Sequence, residues 1–157
     1  MKLITENIVK KLIKKKLKIS IAESCTGGLL SNAITSVSGS SKVFTFGLVA
    51  YSNQSKIKVL KVSRKIIRKY GAVSEQVCLV MAKNAARIGK TIMSISVTGI
   101  AGPTGGTRKK PVGLVYVGIK KGNKINIKKY LFRNKSRTYI RNVTVNKCLE
   151  LILRVLK

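Results

Sequence analysis

The chain has 157 residues, 45% of them hydrophobic, enough to bury one core without covalent staples. Lysine and arginine total 33 against four glutamates, Glu6, Glu23, Glu75 and Glu150; the net charge is +29, and there is no aspartate and no histidine. That composition excludes Ser-His-Asp triads, Cys-His dyads, aspartic dyads and histidine-ligated zinc, and scattered glutamates supply a multi-metal centre poorly.

Residues 4–17 set Ile4, Ile8, Leu12 and Ile13 at helical spacing with lysines between them. Ile19-Ser20-Ile21-Ala22 reads as a short buried strand, and Gly27-Gly28 opens a helix to about Val37, followed by a Ser38-Gly39-Ser40-Ser41 turn. Residues 43–51 form a second strand. A basic helical stretch over 53–70 breaks near Val62-Ser63 and ends at Gly71; Ser74 caps a helix over about 75–89. Residues 91–98 are an apolar, β-branched strand leading into a Gly-rich loop from Gly99 to Pro111. Residues 112–120 and 124–132 make a hairpin around Lys121-Gly122-Asn123, and a last helix covers about 137–156.

This alternation predicts an α/β fold: one domain over 1–157, a three-layer α/β/α sandwich whose central sheet the hairpin makes mixed. Cys25, Cys78 and Cys148 are odd in number and far apart, as in reduced cytoplasmic proteins. Charges at Lys10–Lys18 interrupt any signal-peptide pattern, and no apolar run is long enough for a membrane helix, so no membrane partner is expected.

Three segments carry possible chemistry. Glu23-Ser24-Cys25-Thr26-Gly27-Gly28 lies between a strand end and a helix start, where ligands collect in open α/β sheets and backbone N–H groups point outward. Ser24 there is either an exposed nucleophile or part of a capping turn; Cys25 is a rival without a histidine to activate it. With histidine absent, a serine nucleophile pairs most naturally with lysine. In Tyr51-Ser52-Asn53-Gln54-Ser55-Lys56, Lys56 is such a base if burial lowers its pKa, or one solvated lysine among 25. Tyr51 could relay a proton. Thr98-Gly99-Ile100-Ala101-Gly102-Pro103-Thr104-Gly105-Gly106 follows a strand and is dense in glycine, which lets amides approach an anion; it is neither a Walker A loop nor GxGxxG. Arg137 and Arg141 sit four apart at the start of the last helix, an unfavourable place for cations unless a phosphate binds between them.

Five motifs taken in order resemble the C-terminal domain of CinA. These are Ala22-Glu23-Ser24-Cys25-Thr26-Gly27-Gly28, Gly39-Ser40-Ser41, Tyr51-Ser52-Asn53 with Lys56, Gly71-Ala72-Val73-Ser74-Glu75, and Thr98 to Gly106 followed by Lys110-Pro111-Val112-Gly113. The resemblance covers about residues 5–155. It implies a nicotinamide-nucleotide amidohydrolase, converting nicotinamide mononucleotide to nicotinic acid mononucleotide and ammonia, in a homodimer, with no cofactor and no metal. It implies Ser24 as nucleophile, with Ser41 as a competitor for that role, Lys56 as base, and Tyr51, Ser41, Thr26 and Thr98 lining the site. Gly99, Gly102, Gly105 and Gly106 would cradle phosphate or ribose, and Arg137 and Arg141 match the family's Arg-x-x-x-Arg. Larger members carry a preceding molybdopterin-binding-like domain, so this chain looks like the stand-alone form. It departs from the family at Arg133-Asn134-Lys135-Ser136-Arg137, one residue longer than the usual turn and without its Gly-Asp.

Two other functions compete with this one. A nucleic-acid-binding basic module fits the charge, but aromatics are 5% and no RNA-binding signature occurs, so specific nucleic-acid binding is not expected. A non-catalytic relic of the family is opposed by the presence of Ser24, Tyr51 and Lys56.

Overall fold

The computed structural model describes residues 2–157. The chain runs through α1 (Lys2–Lys14), β1 (Ile19–Glu23), α2 (Leu29–Thr35), a 3-10 turn (Ser40–Lys42), β2 (Phe44–Val49), α3 (Asn53–Lys58), α4 (Arg64–Tyr70), α5 (Glu75–Ile88), β3 (Met93–Gly99), β4 (Leu114–Lys121), β5 (Lys124–Leu131) and α6 (Arg137–Val155). The strands form one sheet in the order β2-β1-β3-β4-β5. β1 pairs parallel with both β2 and β3, while β4 and β5 run antiparallel, giving the mixed sheet expected.

Sequence alternation along β3 explains the layering. Met93, Ile95 and Val97 face a core shared with Ile8 and Leu12 of α1, Leu30 and Ile34 of α2, and Ile140, Leu149 and Ile152 of α6. Ser94 and Ser96, between them, are also buried and donate to the carbonyls of Ala82 (2.6 Å) and Cys78 (2.7 Å) on α5. Small hydroxyl residues thus bring α5 close to the opposite sheet face with their polar atoms satisfied. A second apolar cluster on that face joins Ala22, Ala50, Leu60, Val62, Val77, Met81 and Ala85. Apolar burial at both faces is the main stabilising term.

One boundary differs from the sequence reading. Gly27 (φ 60) and Gly28 (φ 93) take left-handed backbone and form the turn before α2, which starts only at Leu29. The basic stretch after β2 breaks before Ser63 as expected, giving α3 and α4; the link between them buries Leu60 and Val62 and turns at Lys61 (φ 52).

Because β1, β2 and β3 are parallel, their C-terminal ends emerge at one sheet edge. Glu23 is paired with Val49, and Gly99 ends β3 on the other side of β1. The segments after these three strands build the site.

Candidate active site

Glu23, Ser24 and Lys56 define the floor of this crevice. Glu23 is fully buried at the end of β1. Its carboxylate accepts from the amides of Gly28 (3.0 Å), Leu30 (3.1 Å) and Ser31 (2.8 Å) and from the Ser31 hydroxyl (2.7 Å). Four donors satisfy a buried carboxylate that would otherwise be costly. The amides opening α2 are therefore turned inward onto Glu23, not outward to a ligand as the strand–turn–helix pattern suggested. The sequence reading gave Glu23 no role; the one signal was an acid closing a strand with no other charge, in a chain with only four acids.

The turn pinned by Glu23 carries Ser24, whose residue surface is 7% exposed. Across the crevice, Ser52 and Ser55 form a reciprocal capping box that fixes α3. From α3 the Lys56 side chain enters the interior, with only 2% of its surface exposed. Its Nζ lies 2.8 Å from the Ala50 carbonyl, 3.3 Å from the Tyr51 carbonyl and 2.9 Å from Ser24 Oγ. Burial lowers the lysine from its ordinary 10.5 to about 8, with neighbouring Cys25 acting weakly the other way. A neutral amine has two N–H donors and one lone pair. As an ammonium Nζ donates to both carbonyls and to Ser24 Oγ; once it loses that third proton, two N–H donors remain for the carbonyls and the lone pair faces the Ser24 proton. Cys25 is a different case: burial pushes its thiol up to about 12, so it stays protonated and poorly nucleophilic.

Above this floor is a cavity of about 310 Å³ whose wall includes Ser24, Tyr51, Gly99, Gly102, Gly105 and Arg137. Its size falls in the range of small-molecule sites. The Tyr51 hydroxyl accepts from Arg137 Nη2 at 2.8 Å, and Arg137 Nη1 donates to the Gly102 carbonyl at 3.0 Å. Tyr51 thus stands at the rim with its hydroxyl on Arg137; its contribution to the lysine is its backbone carbonyl.

The remaining expected site residues lie outside the cavity. Ser41 sits in the 3-10 turn before β2, while Ser24 follows β1; the parallel register of these strands puts the two serines at opposite ends of the sheet. Ser41 therefore cannot compete as nucleophile within one chain. Thr98 is buried and donates to the Ala72 carbonyl at 2.9 Å, tethering the turn before α5. Thr26 is buried behind the Ser24 turn; its carbonyl accepts from Arg141 Nη2 at 2.9 Å, and its own hydroxyl has no partner. Arg141 accordingly braces that turn from α6 and leaves the cavity wall to Arg137. At Gly106 a Cβ would come within 2.8 Å of the Val112 amide, so this glycine answers to packing between the two ends of the Gly-rich loop.

Among the described residues no group of three histidine, cysteine or acidic side chains is placed to hold a metal ion, and no helix is long and apolar enough to cross a membrane.

The model of the CinA C-terminal domain matches residues 1–156. A competence-damage inducible protein of Thermoanaerobacter pseudethanolicus is 47% identical over 151 residues, covering 96% of this chain and 36% of the relative. A CinA-like protein of Prochlorococcus marinus subsp. pastoris is 47% identical over 145 residues, 91% of this chain and 34% of the relative. The chain thus spans about a third of the length of these curated relatives. Among solved structures, the competence/damage inducible protein CihA from Agrobacterium tumefaciens aligns with a TM-score of 0.91 at 37% identity, covering 98% of this chain and 96% of that one. A CinA superfamily protein from Escherichia coli aligns at 0.94 and 30% identity, covering 98% and 89%. Motif order, fold and near-complete alignment agree that the chain belongs to the CinA C-terminal domain family.

Proposed function

We propose that the protein hydrolyses the carboxamide of nicotinamide mononucleotide, releasing ammonia and nicotinic acid mononucleotide. The observation that carries this reading is the buried Lys56 amine, 2.9 Å from Ser24 Oγ and flanked by two carbonyls. Ser24 Oγ attacks the carboxamide carbon as its proton passes to Lys56 Nζ. The amides of Cys25 and Thr26, in the turn between Glu23 and α2, stand closest in sequence to the nucleophile and would hold the oxyanion. Collapse breaks the C–N bond; Lys56 returns the proton to the leaving nitrogen, which departs as ammonia. Water then attacks the acyl-serine ester, Lys56 taking its proton, and the carboxylate leaves as Ser24 is restored. No step needs a histidine, a metal or a cofactor.

Replacing Ser24 with alanine tests this directly. Ammonia release from the mononucleotide should fall by roughly 10³-fold or more while the folded state survives. Residual activity near that of the unaltered protein would remove Ser24 from the mechanism. The same reading takes the protein to act as a cytoplasmic homodimer; sedimentation equilibrium of the purified chain should return twice the 17.2 kDa monomer mass, and a monomer would refute that part.

A further inference from the structure

In the turn between α4 and α5, the carbonyls of Tyr70, Gly71, Ala72 and Val73 each accept from a side chain. Ser74 Oγ donates to Gly71 at 2.8 Å and Thr98 Oγ1 to Ala72 at 2.9 Å. Lys110 Nζ donates to both Tyr70 and Val73, the latter at 2.8 Å. Tyr70 ends α4, so its carbonyl belongs to the negative end of that helix. Gly71 (φ 76) leaves room for the ammonium, since a Cβ there would lie 2.6 Å from Lys110 Nζ. Among the described residues the one salt bridge is Lys147–Glu150, so carbonyl dipoles, not a carboxylate, meet the Lys110 charge. Backbone oxygens converging on a cation are the donor set of monovalent-cation sites, where they replace the ion's hydration shell.

The root of this lysine is fixed as well. The Thr107 amide donates to the Lys110 carbonyl at 2.8 Å, and the Lys110 amide to Thr107 Oγ1 at 3.0 Å. Arg108 and Lys109, inside that small turn, are exposed. The same loop carries Gly102, Thr104 and Gly105, which form part of the wall of the Ser24 cavity. Arg137 of α6 holds the loop on one side through the Gly102 carbonyl. Lys110 holds it on the other, against the α4–α5 turn. The wall is strung between two cations, each bound to backbone carbonyls.

We propose that the Tyr70–Val73 turn is a monovalent-cation cradle that the chain fills with its own Lys110, and that Lys110 is a positioning residue for the Gly-rich wall. It acts on substrate affinity through that wall and leaves bond breaking to Ser24 and Lys56. The effect on substrate rests on the amidohydrolase reading; the cradle does not. Lys110→Ala removes the side chain beyond Cβ, and propylammonium supplies the missing atoms. Tetramethylammonium at the same concentration matches the ionic strength but has no N–H to donate. Lys109→Ala removes an exposed charge from the neighbouring position. Lys110→Ala should raise KM for nicotinamide mononucleotide roughly tenfold and leave kcat within about twofold. Lys110→Met, which keeps the stem and loses the ammonium, should raise KM alike. Propylammonium at about 0.1 M should lower the KM of Lys110→Ala roughly threefold or more, and tetramethylammonium should not. Lys109→Ala should change neither constant. An unchanged KM in either Lys110 variant, a loss confined to kcat, or the same response to both ammonium ions would overturn the assignment. If the unaltered protein releases no ammonia, the amidohydrolase reading fails on its own, and melting temperature decides the cradle. A higher value for Lys110→Ala in propylammonium than in tetramethylammonium, with no such difference for the unaltered protein, sustains it; equal melting of the variant in the two salts refutes it.

Discussion

Lys56 is the residue on which the chemistry turns. A lysine with 2% of its surface exposed is held in the interior against its charge, and the folded chain lowers it to about 8 for that reason. The neutral form is the base. Activity should therefore climb roughly tenfold per pH unit below about 8 and level off above it. A profile set by a group near 10.5 would mean that the lysine is not desolvated. The stability consequence has the same sign. The unfolded lysine holds its proton up to about 10.5 and the folded one only to about 8. The penalty for burying the charge is thus complete below about 8, roughly 3 kcal/mol, and fades as pH rises towards 10.5. Lys56→Met, which removes the buried ammonium and keeps the chain length, should abolish ammonia release without lowering the melting temperature; a large drop on calorimetry would contradict this. Glu23 makes the opposite case. Glu23→Gln turns an amide NH2 towards donors already facing the carboxylate, at a cost of about 3 kcal/mol in stability measured by urea unfolding.

At the scale of elements, the site is a meeting of loops after β1, β2 and β3, and each is tied down by a specific contact. Lys110 donates to the carbonyls of Tyr70 and Val73, joining the Gly-rich loop to the turn before α5. Gly113, at φ 90, closes the other end of that loop: its amide donates to Ile100, and its carbonyl accepts from Phe132. A Cβ at Gly113 would lie 2.1 Å from the Phe132 carbonyl oxygen. Gly113→Ala should therefore cost about 2 kcal/mol or more, lowering the melting temperature by several degrees. The strand and helix order of these elements was legible in the alternation of periods, since long apolar stripes and short β-branched runs differ clearly. The position of Ser41 was legible in principle. A residue preceding a parallel strand lies at the end opposite the residues that follow it, and the Gly39-Ser40-Ser41 turn precedes β2. Roles set by three-dimensional partners were not legible. Nothing local distinguishes the one buried lysine from 24 others, or shows that Thr98 and Arg141 face protein carbonyls.

For the whole molecule, the dominant feature is charge. Among the described residues one ion pair forms, the exposed Lys147–Glu150 contact at 2.8 Å. With a net charge of +29 and so few attractive pairs, self-repulsion opposes the compact state. Raising salt from about 0.01 to about 0.15 M, which shortens the screening length from about 30 to about 8 Å, should raise the melting temperature. A fall would show that attractive pairs outweigh repulsion. The cations are spread along every segment of the sequence, and composition alone could not say which of them matter. The fold does so by burying Lys56 beside Ser24 and leaving most of the rest on the open surface.

The central claim is that Ser24 and Lys56 form a working dyad. Its most direct measurement is ammonia release from nicotinamide mononucleotide by the unaltered protein and by Lys56→Met, each with a metal chelator present. Release by the unaltered protein that survives the chelator and vanishes in the folded variant is the predicted result. Equal release by both proteins, or none from a folded unaltered protein, would contradict it.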